Sequence, residues 1–407
     1  MNCIFYILDG LTPLAIKNEL NNKFYGKPIS SNFISKIASD SIRFDNAYGY
    51  GETLATTYQY LTGENVYKNY CDAFKLFNSF PVRKNLATYF KAEGFNTIYY
   101  RDSAVNFPQN GFYGRYFKSV TNDFDIVCRT KKHENYSFKN FFIENNISSF
   151  LEEDKNNFFL FHDHSLHDNK IAYKDGTPQS YLKAVNSSSK IVQKNLNMIK
   201  YNKKKDILIF ISDHGLNLYP SSKMHFPKKI KKKEYDSFYT DLFIDEKIKV
   251  TFFICNVGAK KSVYKPFIKP DNVFSIVKYL SKNIFNKKLK KNIYSRLKNY
   301  SQKKILISIQ AAKQDFYNNF FFKDYFHCHI LLLNKYTKIA YSLNHDYQFY
   351  DLKNKKYKSA IKNNNDFKIF IKNYFSMKNY LKKFLMFILS LFFRILSKFF
   401  RLFLKKK

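Results

Sequence analysis

The sequence predicts an α/β fold in which helices sandwich a mostly parallel sheet, and three stretches carry that expectation. Ile207 to Ser212 has the length and β-branched content of a strand buried on both faces, and it stops at Asp213-His214-Gly215. Cys3 to Leu8 is a second apolar run, and it stops at Asp9-Gly10. Asn85 to Tyr100 reads as an amphipathic helix feeding a strand, the unit from which parallel sheets are wound. With 407 residues and 45% hydrophobic side chains, the chain can bury such a core and carry a second small domain.

In open α/β sheets chemistry gathers at the carboxyl ends of strands, so the residues that end these runs are the candidates. Asp9 and Asp213 would reach one metal ion if their strands are parallel neighbours, and His214 adds an imidazole to the pair. The plain alternatives are a simple turn at Asp9-Gly10 and a helix cap at Asp213 beside a loop histidine. Between the two runs lies Gly49-Tyr-Gly-Glu-Thr53, where two glycines let the chain turn and Thr53 stands at the start of a helix over Leu54 to Leu61 that Thr62-Gly63 ends. A hydroxyl in that position faces free amides and the positive end of the helix dipole, which suits a phosphate; alone it would equally be an N-cap. Phe158 to Phe161 is another short buried strand that opens into His162-Asp163-His164-Ser-Leu-His167. Three of the nine histidines in one turn are more than core packing asks for, and they point to ligand or acid–base roles. Lys223 and His225 place a cation and a further imidazole in the loop after His214, whereas Lys228 to Lys233 reads as a solvated loop.

Val250 to Cys255 is one more apolar strand. From about residue 285 the composition shifts: Lys287 to Lys304 is basic, Ile305 to Ile309 is strand-like, and His327 to Leu333, Thr337 to Leu343 and Tyr347 to Leu352 follow without helices between them. That is the pattern of a small antiparallel sheet. The last segment, Tyr380 to Lys407, is a separate object. Phe, Leu and Ile dominate it from Phe384 to Leu404, while Ser390, Arg394, Ser397, Lys398, Arg401 and Lys405 recur three or four apart on one face. Cations along half its length argue against a membrane span and for a helix lying in the interface. A span through Phe384 to Phe393 and a partner-binding helix are the alternatives. The expected organisation is a catalytic domain over 1–285, a small α+β unit over 286–375 and a membrane-associating helix over 376–407.

The formal charge is +37. Lys, Asn, Phe, Ile and Tyr are over-used and Trp is absent, which reads as a base-composition bias of the source genome. Much of the charge is then a solvated lysine coat that favours phosphates or an anionic membrane surface; nucleic acid is not the expected partner. Cys3, Cys71, Cys128, Cys255 and Cys328 are scattered and odd in number, reading as reduced residues and not as a disulfide frame or zinc cluster. Residues 1–8 lead straight into Asp9 with no room for a secretory signal, so the expected location is cytoplasmic, at the inner face of the membrane.

Assembled in order, Asp9, Thr53, Asp213 and His214 resemble the metal-binding acid, the nucleophile and the Asp-His ligand pair of the alkaline phosphatase and sulfatase superfamily. The likeness runs from residue 1 to about 355. It includes the spacing from Thr53 to Gly63, and Gln348-Phe-Tyr-Asp-Leu352 is similar to a segment of the sulfatases' small C-terminal sheet. The resemblance implies an alkaline-phosphatase-like fold and a transferase or hydrolase dependent on a divalent metal such as zinc, manganese or magnesium. Two positions depart from the sulfatases. Their nucleophile is a formylglycine made from Cys or Ser ahead of a Pro-Ser-Arg type signal, whereas Thr53 precedes Leu54-Ala-Thr-Thr57; and Asp9 is followed by Gly10, not by a second aspartate.

A threonine nucleophile is similar to that of the phosphoethanolamine and phosphoglycerol transferases and of the nucleotide pyrophosphatases. His162, His167 and His225 match histidines of the transferases, while Asp163 with His167 has the spacing of the pyrophosphatases' second metal pair; His164 and Lys223 lie beside these positions. The likeness to the transferases implies a covalent phosphothreonine on Thr53, a phosphodiester or nucleotide-activated donor, and a glycan or lipid acceptor at the cell surface. Resolution by water, as in a phosphodiesterase, a phosphatase or a sulfatase-like hydrolase of the same fold, and an inactive scaffold or nucleic-acid-binding protein are the other readings.

Overall fold

A computed structural model describes residues 1–49, 53–64, 84–101, 121–128, 137–152, 155–166, 177–215, 248–256 and 262–283, together with the backbone of five strands between 304 and 358. The architecture is the α/β sandwich that the sequence predicts. At the centre of an eight-stranded sheet is β1 (Asn2–Leu8), all of whose residues are buried. On one side it pairs in parallel with β7 (Asn157–Asp163), followed by β5 (Asn96–Arg101) and β6 (Ile126–Val127). On the other side it pairs in parallel with β8 (Ile207–Ile211), followed by β9 (Phe252–Cys255), β4 (Ile42–Phe44) and β10 (Ser262–Tyr264). The sheet is not wholly parallel, because β9 runs against both of its neighbours. A two-stranded ribbon, β2 (Lys23–Phe24) with β3 (Lys27–Pro28), lies apart from it.

Side chains alternate across a strand, so a continuous apolar run must be covered on both faces. Phe5, Ile7, Leu160 and Ile209 face one helical layer, to which α2 (Thr53–Thr62), α3 (Leu86–Ala92) and α7 (Pro270–Asn283) contribute Tyr58, Leu61, Phe90 and Val277. Ile4, Tyr6, Phe161 and Phe210 face the other, formed by α1 (Phe33–Ser39), α4 (Phe138–Glu144) and α6 (Pro178–Met198), with α5 (Ile147–Glu152) beside them. Tyr6 stacks between Phe161 and Phe210, with ring centroids 4.9 and 5.5 Å away. Each such ring contributes about 1.5–3 kcal/mol through burial. The helix expected after Asn85 begins with a capping box between Asn85 and Thr88. The stop expected at Thr62-Gly63 is a left-handed Gly63, φ +73°, a conformation that glycine adopts without strain. Cys3, Cys128 and Cys255 are buried free thiols, as expected.

One boundary matters for the site. The strand expected to stop at Phe161 continues through His162 and Asp163, because its pairing with β1 persists to Leu8. His162 therefore belongs to one face of the sheet and Asp163 to the other.

The region after residue 300 holds an antiparallel five-stranded meander, β11 (Lys304–Gln310), β12 (Cys328–Asn334), β13 (Thr337–Ser342), β14 (His345–Asp351) and β15 (Lys356–Lys358). Four of these strands were expected; the lysine-bearing β15 has no apolar alternation to reveal it. The basic helix expected over 376–407, with Arg394, Lys398, Arg401 and Lys405, lies outside the described residues. Among the described residues no helix is long and apolar enough to cross a membrane.

Candidate active site

Four strands of the sheet end at one edge with polar side chains: Asp9 after β1, Arg101 closing β5, His162 and His164 at the end of β7, and Asp213 and His214 after β8. Parallel register makes this convergence. Ile7 pairs with Ile211 and Leu8 with Asp163, so the chain leaves adjacent strands at nearly one level. Thr53 is the first residue of α2, which packs over the same edge. Its Oγ1 donates to Asp9 Oδ2 at 3.1 Å and lies 3.2 Å from His214 Nε2.

The protons decide what this cluster is for. Asp213 is fully buried, and its Oδ1 accepts the backbone amides of Gly10 at 3.1 Å and His214 at 2.8 Å. Its Oδ2 has no hydrogen-bond partner among the described residues. His214 Nδ1 lies 2.7 Å from the Gly215 carbonyl, which only accepts, so Nδ1 carries a proton and the neutral ring presents a lone pair at Nε2. Nε2 stands 3.4 Å from Asp9 Oδ1 and 3.6 Å from Asp213 Oδ2. Buried oxygen and nitrogen lone pairs converging in this way are costly unless a cation sits among them. Asp9, Asp213 and His214 offer ligand atoms within 4.8 Å of one another, and Asp9 with His162 and His164 does the same. Both groups fit a divalent ion, and Asp9 belongs to both.

His162 supports the second group. It is buried, neither ring nitrogen has a hydrogen-bond partner among the described residues, and its ring centroid is 4.3 Å from that of His164. Burial first, then the nearby His164, Arg101 and His214, hold its pKa well below the usual histidine value. The neutral ring is the form that ligates a metal.

Bonds behind the site hold these loops. Ser212 Oγ and Thr251 Oγ1 both donate to the Leu11 carbonyl, at 2.6 and 3.1 Å, and Tyr60 donates to the Ser212 carbonyl at 3.0 Å. Tyr181 donates to the Gly10 carbonyl at 2.8 Å and accepts the Thr12 amide at 3.0 Å. Gly49 has a different use from the turning freedom expected of it. A Cβ on this residue would stand 2.3 Å from the Asp213 carbonyl and 3.0 Å from Val250, so the absence of a side chain is what lets the Asp213 loop approach. Gly49→Ala should therefore destabilise the fold by about 1–3 kcal/mol through overpacking. It should also weaken metal affinity about tenfold or more by moving Asp213. Thermal melts recorded with and without added metal separate the two effects, and a variant with wild-type metal affinity would contradict this role.

A family model described as Sulfatase matches residues 15–278. The chain belongs to the sulfatase family. It is an enzyme of the alkaline phosphatase and sulfatase superfamily, a transferase or a hydrolase, as the residue pattern implied. No curated protein sequence matches it. Solved structures of similar fold include the phosphonate monoester hydrolase of Agrobacterium radiobacter, 11% identical with a TM-score of 0.58 over 87% of this chain and 90% of that one. A 2-O GAG sulfatase is 13% identical with a TM-score of 0.58 over 94% and 92%. A protein in the alkaline phosphatase superfamily from Vibrio parahaemolyticus is 13% identical with a TM-score of 0.55 over 89% and 82%.

In this sulfatase-family chain the four residues singled out first, Asp9, Thr53, Asp213 and His214, come together, and His162 and His164 join them. Asp163 does not. It lies on the opposite face of the sheet, where its carboxylate accepts a short hydrogen bond from the Tyr6 hydroxyl and another from the Ser165 amide at 2.8 Å, so the expectation of a second-metal ligand there is corrected. The reason is strand alternation, since the ladder with β1 extends through residue 163. His167, Lys223 and His225 lie outside the described residues. Sequence reading missed Arg101, a buried cation whose Nη2 is 3.4 Å from His164 Nε2 and which pairs in register with His162. The helix-strand segment was followed only to Tyr100. A charged residue ending an apolar strand, the feature that drew attention to Asp9 and Asp213, recurs one position later.

Proposed function

We propose that this protein is a metal-dependent phosphoryl-group transferase in which Thr53 forms a covalent phosphothreonine. The observation that carries the reading is the Thr53 hydroxyl, at a helix N-terminus, within 3.2 Å of both Asp9 and His214 at the meeting point of two metal-fitting groups. Asp9, Asp213 and His214, with the Thr53 hydroxyl as a further ligand, would hold one divalent ion, zinc, manganese or magnesium, and His162 and His164 with Asp9 would hold a second ion or phosphate oxygens. Bound there, the ion supplies Lewis-acid stabilisation of charge on the phosphoryl oxygens. Thr53 Oγ1 attacks phosphorus as its proton passes to solvent, and the ester bond to the leaving oxygen breaks. His167 or His225 gives that oxygen a proton and later takes one from the acceptor hydroxyl, which displaces Thr53 and lets it recover its own. Arg101 adds a fixed positive charge beside the histidines.

The donor class proposed is a phosphodiester or nucleotide-activated phosphate, and the acceptor a glycan or lipid hydroxyl. A second reading, hydrolysis by water, is favoured by the similarity in fold to a phosphonate monoester hydrolase and a sulfatase. Incubation with an aryl phosphodiester, followed by peptide mass spectrometry, should find the adduct on Thr53. Release of the phosphoryl group to added alcohols supports transfer, release only to water supports hydrolysis, and an unmodified Thr53 during turnover removes both.

The basic C-terminal segment would hold the enzyme at the inner surface of the membrane, close to a lipid-linked acceptor. Roughly 1 kcal/mol per basic residue near an anionic surface, with apolar burial at about 25 cal/mol per Å², is enough for stable adsorption. Deleting residues 380–407 should release the protein from anionic vesicles and leave turnover of a small soluble donor nearly unchanged. A truncated protein that still sediments with the vesicles would disprove the anchor.

A further inference from the structure

Two clefts away from the metal-fitting cluster meet at Arg43 and Asn18, which line both. The first, about 340 Å³, has polar walls: Lys17, Lys36, Arg43 and Ser35, with Glu19 as its only carboxylate among the described residues. The second, about 310 Å³, adds an apolar surface from Leu14, Ile16 and Phe253, and it places Lys249 and Lys265 with Arg43 against one carboxylate, Asp45. Each cleft thus has three cations facing one acid. Arg43 spends only Nε on Asp45, at 2.8 Å, while its buried Nη2 has no hydrogen-bond partner among the described residues. Ser35 is 3% exposed, and its buried Oγ is also without a partner among the described residues. Leaving such donors buried and unmatched costs free energy, which an oxyanion reaching them from the clefts would relieve.

We propose that this pair of clefts is a second ligand site for a phosphate-bearing small molecule. Its phosphate would lie on Arg43 and Ser35, and its organic part along Leu14 and Ile16. The surplus of cations matches a dianionic phosphomonoester better than a monoanionic carboxylate, and the guanidinium suits phosphate geometry. The site stands behind the catalytic loops. Thr251 lines the second cleft and also bonds Leu11 and Ser212, the residues that lead from Asp9 and into Asp213.

The test is equilibrium dialysis of the full-length protein in EDTA at low salt, with inorganic phosphate and phenyl phosphate as probes. Binding should persist in Thr53→Ala and Asp213→Asn, weaken at least about tenfold in Arg43→Gln and about threefold in Ser35→Ala, and be tighter for phenyl phosphate. If Arg43→Gln does not fold, Ser35→Ala and Lys36→Gln carry the comparison. Equal binding by wild type and these variants would overturn the site, and benzoate bound as tightly as phenyl phosphate would overturn its assignment to phosphate.

Discussion

Replacing Thr53 with alanine should lower turnover of an aryl phosphodiester by about 10³-fold or more, roughly 4 kcal/mol of transition-state stabilisation. Folding should be little affected. Thr53 opens a helix, is only partly buried, and uses its hydroxyl on Asp9 and His214 rather than on a cap. Alanine is at least as good a helix former, so melting temperature should stay near wild type. Thr53→Ser keeps the hydroxyl and should recover a substantial part of the rate, losing mainly the methyl group that restricts its rotamer. An alanine variant with more than about a tenth of wild-type turnover would remove Thr53 as the nucleophile.

Asp9→Asn should have effects of opposite sign with and without metal. Asp9 belongs to both metal-fitting groups, so neutralising it should weaken divalent-ion affinity at least about 100-fold and abolish turnover with it. Without metal, Asp9 and Asp213 are buried carboxylates, 1% and 0% exposed, facing the same small space. Removing one of those charges relieves desolvation and like-charge repulsion, so the metal-free variant should be more stable than metal-free wild type by about 1–3 kcal/mol. Saturating metal at about 100 times Kd should stabilise wild type by about 2.7 kcal/mol and the variant far less. Paired melts in EDTA and in excess zinc, manganese or magnesium measure both quantities and identify the preferred ion. A variant destabilised in EDTA and stabilised by metal as strongly as wild type would place the ion elsewhere.

Much of the catalytic edge was legible because chemistry and strand ends coincide. An apolar run that stops at an acid is conspicuous in one dimension, and β1 and β8 both end that way at Asp9 and Asp213. Thr53 was legible through its helix start and through the order of the four residues. Arg101 is hard to see because it lies one residue beyond the aromatic run that marks its strand, and β15 because three residues carry no periodicity. Asp163 was misplaced for a deeper reason. Its neighbours in sequence are His162 and His164, but in a paired strand the adjacent side chain points to the opposite face, and only the ladder with β1 shows that the strand continues that far.

By itself the sequence determined the fold class, the strand ends that bear acids and imidazoles, and the threonine standing where a nucleophile would. Those follow from hydrophobic period and local turn chemistry, which are properties of neighbouring residues. Only the tertiary structure decided which ends converge, because register between β1, β7 and β8 is set by pairing across gaps of roughly 150 to 200 residues. It alone decided that Gly49 must lack a side chain, since the atom it avoids is the carbonyl of Asp213. And it alone assigned the proton on His214, because the Gly215 carbonyl takes Nδ1 and leaves Nε2 for the site.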